Sequence, residues 1–66
     1  MFEVGTRVRL VVPDEAAFVK VGTEGTVLTE VTNDFNDPCQ DVMWDALLIG
    51  SGPGAQYVDI SCMEAV

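Results

Sequence analysis

The stretch Val21-Gly-Thr-Glu-Gly-Thr-Val-Leu-Thr-Glu-Val31 sets two glycines three residues apart ahead of a run of strand formers. A phosphate-holding loop of the G-x-x-x-x-G-K-[ST] kind needs a lysine after its last glycine and a helix whose N-terminus faces the anion. Here Thr26 and Val27 follow Gly25, and strand formers continue to Val31. A G-x-x-G clamp on a nucleic-acid backbone sits between helices, and Glu24 inside this pair repels a phosphate. The stretch therefore reads as a turn feeding a strand. Gly22 or Gly25 takes a positive φ at a tight turn or bulge. The strand spans Gly25 to Val31, with Val27 and Val31 on one face and Thr26, Leu28 and Glu30 on the other.

Upstream, the segment Phe2 to Val12 reads as a half-buried strand, because Val8, Leu10 and Val12 alternate with Arg7, Arg9 and Val11 with a period of two. Pro13 stops it, because proline donates nothing to a ladder. Asp14 to Phe18 is expected to make one short helical turn, carboxylates at its N-terminal end, with Phe18 folded onto the core. Downstream, Thr32 to Gln40 is dense in turn formers and acid, and reads as an exposed loop. Asp41 to Asp45 is a third strand, placing Val42 and Trp44 together, with Trp44 in the core beside Val8 and Val27. Ala46 to Ile49 continues that strand or opens another, and Gly50-Ser-Gly-Pro-Gly54 is a turn. Gln56 to Ile60 pairs across the turn, and Ser61 to Val66 ends as a short strand or a single turn. About five short antiparallel strands, no long amphipathic helix and closely spaced turns predict a small all-β barrel or sandwich. Residues 1–66 read as one domain.

The totals narrow the function. A chain of 66 residues has a marginal core, yet 48% of it is apolar, rich enough to fold and to leave surface for association. Three basic residues, Arg7, Arg9 and Lys20, stand against eleven acidic ones, for a net charge of −8. Nucleic-acid binding runs on phosphate neutralisation by Lys and Arg, so this balance argues against direct nucleic-acid binding and favours a basic partner. No apolar run approaches the roughly 20 residues of a membrane span, and the first residues lack the basic-then-apolar order of a secretory leader. The expectation is a soluble, cytoplasmic chain without membrane contact.

The order Val4-Gly-Thr-Arg-Val-Arg-Leu10, then Val21-Gly-Thr-Glu-Gly-Thr-Val27, then Val42-Met-Trp-Asp45, then Tyr57, resembles small SH3-like barrels. KOW-type domains and a group of small bacterial and phage domains share this layout. The resemblance covers most of the chain and implies an SH3-like barrel with the habits of a binding module. The sequence departs from the KOW pattern in three places. The Pro13 to Lys20 loop is longer, the basic nucleic-acid surface is missing, and Ala46-Leu-Leu-Ile49 replaces the tight glycine turn after Trp44-Asp45.

Histidine is absent, and with it the usual acid–base catalyst at neutral pH. The pairs Asp14/Glu15 and Asp34/Asp37 read as solvated loop charges. Cys39 lies in an acidic loop whose carboxylates raise a thiol pKa, and Cys62 has no base. The two thiols cannot make a zinc site alone, and in a cytosolic chain they read as reduced, structural cysteines whose pairing the sequence leaves open. The loop Asn33 to Asp41 offers oxygen ligands, but Pro38 and Cys39 fall where a calcium loop needs a ligand and a glycine. No enzyme activity, cofactor or metal is expected.

The sequence thus predicts a non-catalytic adaptor or accessory protein that binds a protein with a basic surface. Phe35 is its apolar anchor, Asp34, Asp37 and Asp41 are steering charges, and Glu24, Glu30 and Asp45 extend the surface. Two alternatives belong to other classes. One is an acidic nucleic-acid mimic that inhibits a basic enzyme; the other is a small structural subunit, such as a virion component, buried in a homo-oligomer.

Overall fold

The structure is a computed structural model and describes residues 1–14, 17–32 and 38–66. Alternating burial builds its strands. Strand β1 (Arg7–Leu10) turns Val8 and Leu10 inward. Strand β2 (Glu24–Val27) turns Gly25 and Val27 inward. Strand β3 (Cys39–Trp44) does the same with Gln40, Val42 and Trp44. Strand β4 (Gly54–Asp59) contributes Val58. A single 3-10 turn, Ile60–Cys62, leads into β5 (Met63–Ala65), which contributes Met63. Every ladder is antiparallel, in the order β4-β3-β2-β1-β5. The expected all-β class with five antiparallel strands is what the chain adopts.

The ladder has two ends, β4 and β5, yet only the 3-10 turn separates them in sequence. In a flat sheet four strand spacings of about 4.8 Å would part them by roughly 19 Å. The chain from Asp59 to Met63 reaches at most about 14 Å fully extended, and less through a 3-10 turn. The sheet must therefore roll, so that its inner face folds onto itself. The core follows from that roll: Val8, Leu10, Val27, Val42, Trp44, Val58 and Met63, drawn from all five strands, form one cluster with Ala17 and Val19. Trp44 is fully buried, as expected, and its indole N–H donates to the Gln56 carbonyl at 3.4 Å. Asp59 fixes the turn: its Oδ1 accepts from the Ser61 amide at 2.9 Å and from the Ser61 hydroxyl at 2.8 Å.

The glycine pair divides the work the sequence assigned to it. Gly22 takes the positive φ, +96°, and its amide donates to Leu10 O. Gly25 is buried where β2 passes β3, and a Cβ there would lie 2.7 Å from Val42 Cγ1 and 2.8 Å from the Met43 carbonyl oxygen. Its hydrogen atom is needed for close approach, not for turning.

Several boundaries differ from the sequence reading. Strand β1 ends at Leu10, and Val12 is exposed, because the amides of Val11 and Val12 both donate to the single carbonyl of Cys62 and bend the chain before Pro13. Strand β2 stops at Val27. Leu28 N still donates to Asp41 O, but the next cross-strand bridge is Thr32 to Cys39, so the β2 side uses more residues than the β3 side. Thr29 fills the gap. Its hydroxyl accepts from the Asp41 amide, and its carbonyl accepts from the Gln40 side chain. Phe18 is exposed, and its neighbours Ala17 and Val19 enter the core instead. In the predicted Asp14–Phe18 turn, Ala17 N donates to Asp14 O at 3.1 Å, while residues 15 and 16 lie outside the described residues.

Candidate functional site

Of the residues expected to bind a partner, Asp34, Phe35 and Asp37 lie outside the described residues. The other four occupy three different settings. Glu24 and Asp45 are neighbours across β2 and β3, where Asp45 N donates to Glu24 O at 2.9 Å. Both converge on Arg7. Its guanidinium grips Asp45 with two bonds, Nη1 to Oδ1 at 3.1 Å and Nη2 to Oδ2 at 2.6 Å. It also reaches Thr26 Oγ1 at 3.0 Å and Glu24 Oε1 at 3.6 Å. Hydrogen bonding to Arg7 holds the Asp45 carboxyl below its ordinary value, and the same bond raises Arg7. Arg9 lies between Glu24 at 4.0 Å and Glu64 at 3.4 Å. The outer sheet face thus carries an alternating row, Glu64, Arg9, Glu24, Arg7, Asp45, in which both arginines are neutralised.

Asp41 stands on the same outer face, opposite Tyr57 in the β3–β4 register. It is half-buried, and burial pushes its carboxyl up, opposed in part by a hydrogen bond with the Val42 backbone. Leu28, Met43 and Tyr57 are exposed around it.

Glu30 belongs to a third place. Met1, Phe2, Glu3 and Val4 lie against Glu30 and Val31 and line an open cleft of about 650 Å³. Gln40 holds Phe2, one of the cleft's lining residues, from behind. This fully buried side chain accepts from Phe2 N at 2.9 Å, donates to Phe2 O at 2.7 Å and donates to Thr29 O at 2.9 Å. An amide on the core face of β3 therefore clamps both backbone groups of Phe2. The turn at Gly5 (φ +92°), with Gly5 N on Val27 O and Thr6 N on Glu3 O, sets the angle at which residues 1–4 arrive. Phe2, Glu3 and Val4 were not singled out from sequence. Their one sequence signal is the Gly5-Thr6 pair ahead of β1, which marks a turn but says nothing of what the turn brings together.

A smaller hollow of about 190 Å³ lies among Lys20, Thr23, Ala46, Leu47, Leu48 and Ser51. Cys39 and Cys62 are half-buried and not joined in a disulfide. Burial pushes the Cys62 thiol up, helped by Asp14 and Asp59 and opposed by Ser61. Among the described residues, no three His, Cys, Asp or Glu side chains gather as metal ligands, and no helix is long and apolar enough to cross a membrane. Compared with protein-family models, with curated proteins and with solved structures, the chain matches no family, no protein and no structure.

Proposed function

We propose that the chain is a non-catalytic adaptor or accessory module of SH3-like form that binds a protein with a basic surface. The strand order and the rolled sheet support the SH3-like reading. The partition of charge carries the functional one. Arg7 and Arg9 are already paired with Glu24, Asp45 and Glu64, while Glu3, Glu30 and Asp41 have no ion pair among the described residues. The negative field of a −8 chain is therefore expressed away from the paired row, and complementary charge steers and selects a partner. The alternating row does not supply the unbroken run of carboxylates that a nucleic-acid mimic needs, so the protein-binding reading is preferred. We place the module in the cytoplasm, where two half-buried thiols stay reduced.

Capture of proteins on the immobilised chain tests this, with identification by mass spectrometry and elution by a salt gradient. Basic proteins are expected, retained by the wild type and by Glu24→Gln, and lost with the double variant Glu3→Lys/Glu30→Lys. Retention indifferent to both sets of substitutions would sink the reading.

A further inference from the structure

We propose that the cleft between residues 1–4 and Glu30–Val31 is the docking site for an extended protein segment that presents an arginine or lysine beside a large apolar side chain. The inference rests on the protein-binding reading and assigns it a place and a partner chemistry. The cleft's volume, about 650 Å³, falls within the roughly 300–1,000 Å³ of recognised ligand pockets. The hollow beside Lys20, about 190 Å³, does not.

The walls supply two complementary chemistries. Met1, Phe2, Val4 and Val31 give an apolar lining, and Met1 and Val4 stay 87% and 58% exposed, apolar area that a docked side chain would cover. Glu3 and Glu30 add a carboxylate from each of the two segments that form the cleft. Both are exposed, and neither has an ion pair among the described residues. Two unpaired carboxylates over an apolar lining repel acidic segments and accept the donors of a cation whose stem or neighbour packs on Phe2 and Val31. The site is also built before the partner arrives. Gln40 holds Phe2 through its amide and carbonyl, and the Thr32–Cys39 bridge holds the chain just after Val31. Preorganisation of this kind lowers the ordering cost of association.

The test is selection of a random twelve-residue peptide library on the folded chain. The strongest peptides are then mapped by amide chemical shifts on isotope-labelled wild type and on Glu3→Gln/Glu30→Gln. The expected result is enrichment of a basic residue next to a large apolar one. Shifts should centre on Phe2, Val4, Glu30 and Val31, and affinity should fall about tenfold or more in the double variant, the scale set by losing two partly exposed charge partners. Both substituted side chains are exposed, so a dispersed amide spectrum of the variant separates lost binding from lost fold. Basic peptides that shift Asp41, Met43 and Tyr57 instead would overturn the site and leave the protein-binding function standing. A selection without basic enrichment would overturn both.

Discussion

Gln40 shows how one side chain sets the geometry of a surface it does not reach. It is the buried polar residue among the described ones, and its amide makes three hydrogen bonds, all to backbone groups of Phe2 and Thr29. A buried amide in an apolar core is costly unless its donors and acceptors are met, and here they are met by the two segments that interrupt the regular ladder. Gln40→Leu fills similar volume but leaves Phe2 N, Phe2 O and Thr29 O without this partner. Urea unfolding is expected to show a loss of about 2 kcal/mol, within the roughly 1–3 kcal/mol of an unsatisfied buried group. Gln40→Glu keeps an acceptor for Phe2 N but turns a carboxylate oxygen toward two carbonyls, and is expected to lose more. A leucine variant as stable as wild type would show that water replaces the amide fully. The sequence alone places Gln40 at the end of an exposed loop, whereas β3 begins at Cys39 and turns Gln40 inward beside Val42 and Trp44. Its partners, however, lie 38 and 11 residues away in sequence, and no local pattern encodes them.

Between elements, the decisive contact is Gly25 under β3. Ala at this position meets Val42 Cγ1 at 2.7 Å, the Met43 carbonyl at 2.8 Å and Trp44 Cε3 at 3.0 Å. The carbonyl belongs to the ladder itself and cannot swing aside. Gly22 differs: its Cβ would meet nothing within 4 Å, and only its φ of +96° resists substitution. Thermal unfolding is expected to rank Gly25→Ala as the worse variant, at about 2–3 kcal/mol for overpacking. Gly22→Ala should lose about 1 kcal/mol, the scale of a left-handed non-glycine residue. The reverse order would mean that β2 and β3 separate freely. The existence of the strands was legible because inward apolar residues alternate at Val8 and Leu10 and at Val42 and Trp44, with turn residues at Gly50–Gly54 between β3 and β4. The early end of β2 was not, because Leu28 to Val31 continue to look like strand while Thr29 gives its carbonyl and hydroxyl to β3 residues. The cleft was illegible for the same reason: Phe2 and Glu3 meet Glu30 and Val31 only after β1 and β2 pair. Sequence marked Glu24 and Asp45 as outward charges, which they are, but could not show that one arginine holds both.

At the scale of the whole molecule, a net charge of −8 is confined to a body of 28 × 22 × 17 Å. Self-repulsion therefore opposes folding at neutral pH, and two aspartates respond to acid in opposite senses. Burial raises the folded-state value of Asp41 above the 3.8 of an ordinary aspartate. The folded protein then binds this proton more readily than the unfolded chain, so stability rises as pH falls through that raised value toward 3.8. Asp45 is held below 3.8 by its hydrogen bonds to Arg7. Its contribution is complete above 3.8 and is lost as pH falls through the lower folded value. Calorimetry is therefore expected to show Tm climbing as pH falls through the raised Asp41 value toward 3.8 and turning down as pH falls below 3.8. Asp41→Asn removes the buried charge and is expected to raise Tm at neutral pH while flattening the climb. Asp45→Asn lowers the plateau and softens the acid limb. Salt separates the two causes at neutral pH, because screening relieves the repulsion of the excess carboxylates and weakens the Arg7 pair. With eleven acids against three bases, relief outweighs loss and Tm rises with ionic strength. A Tm that falls with added salt would mean that the alternating arginine row, not the surplus charge, sets the stability of the sheet.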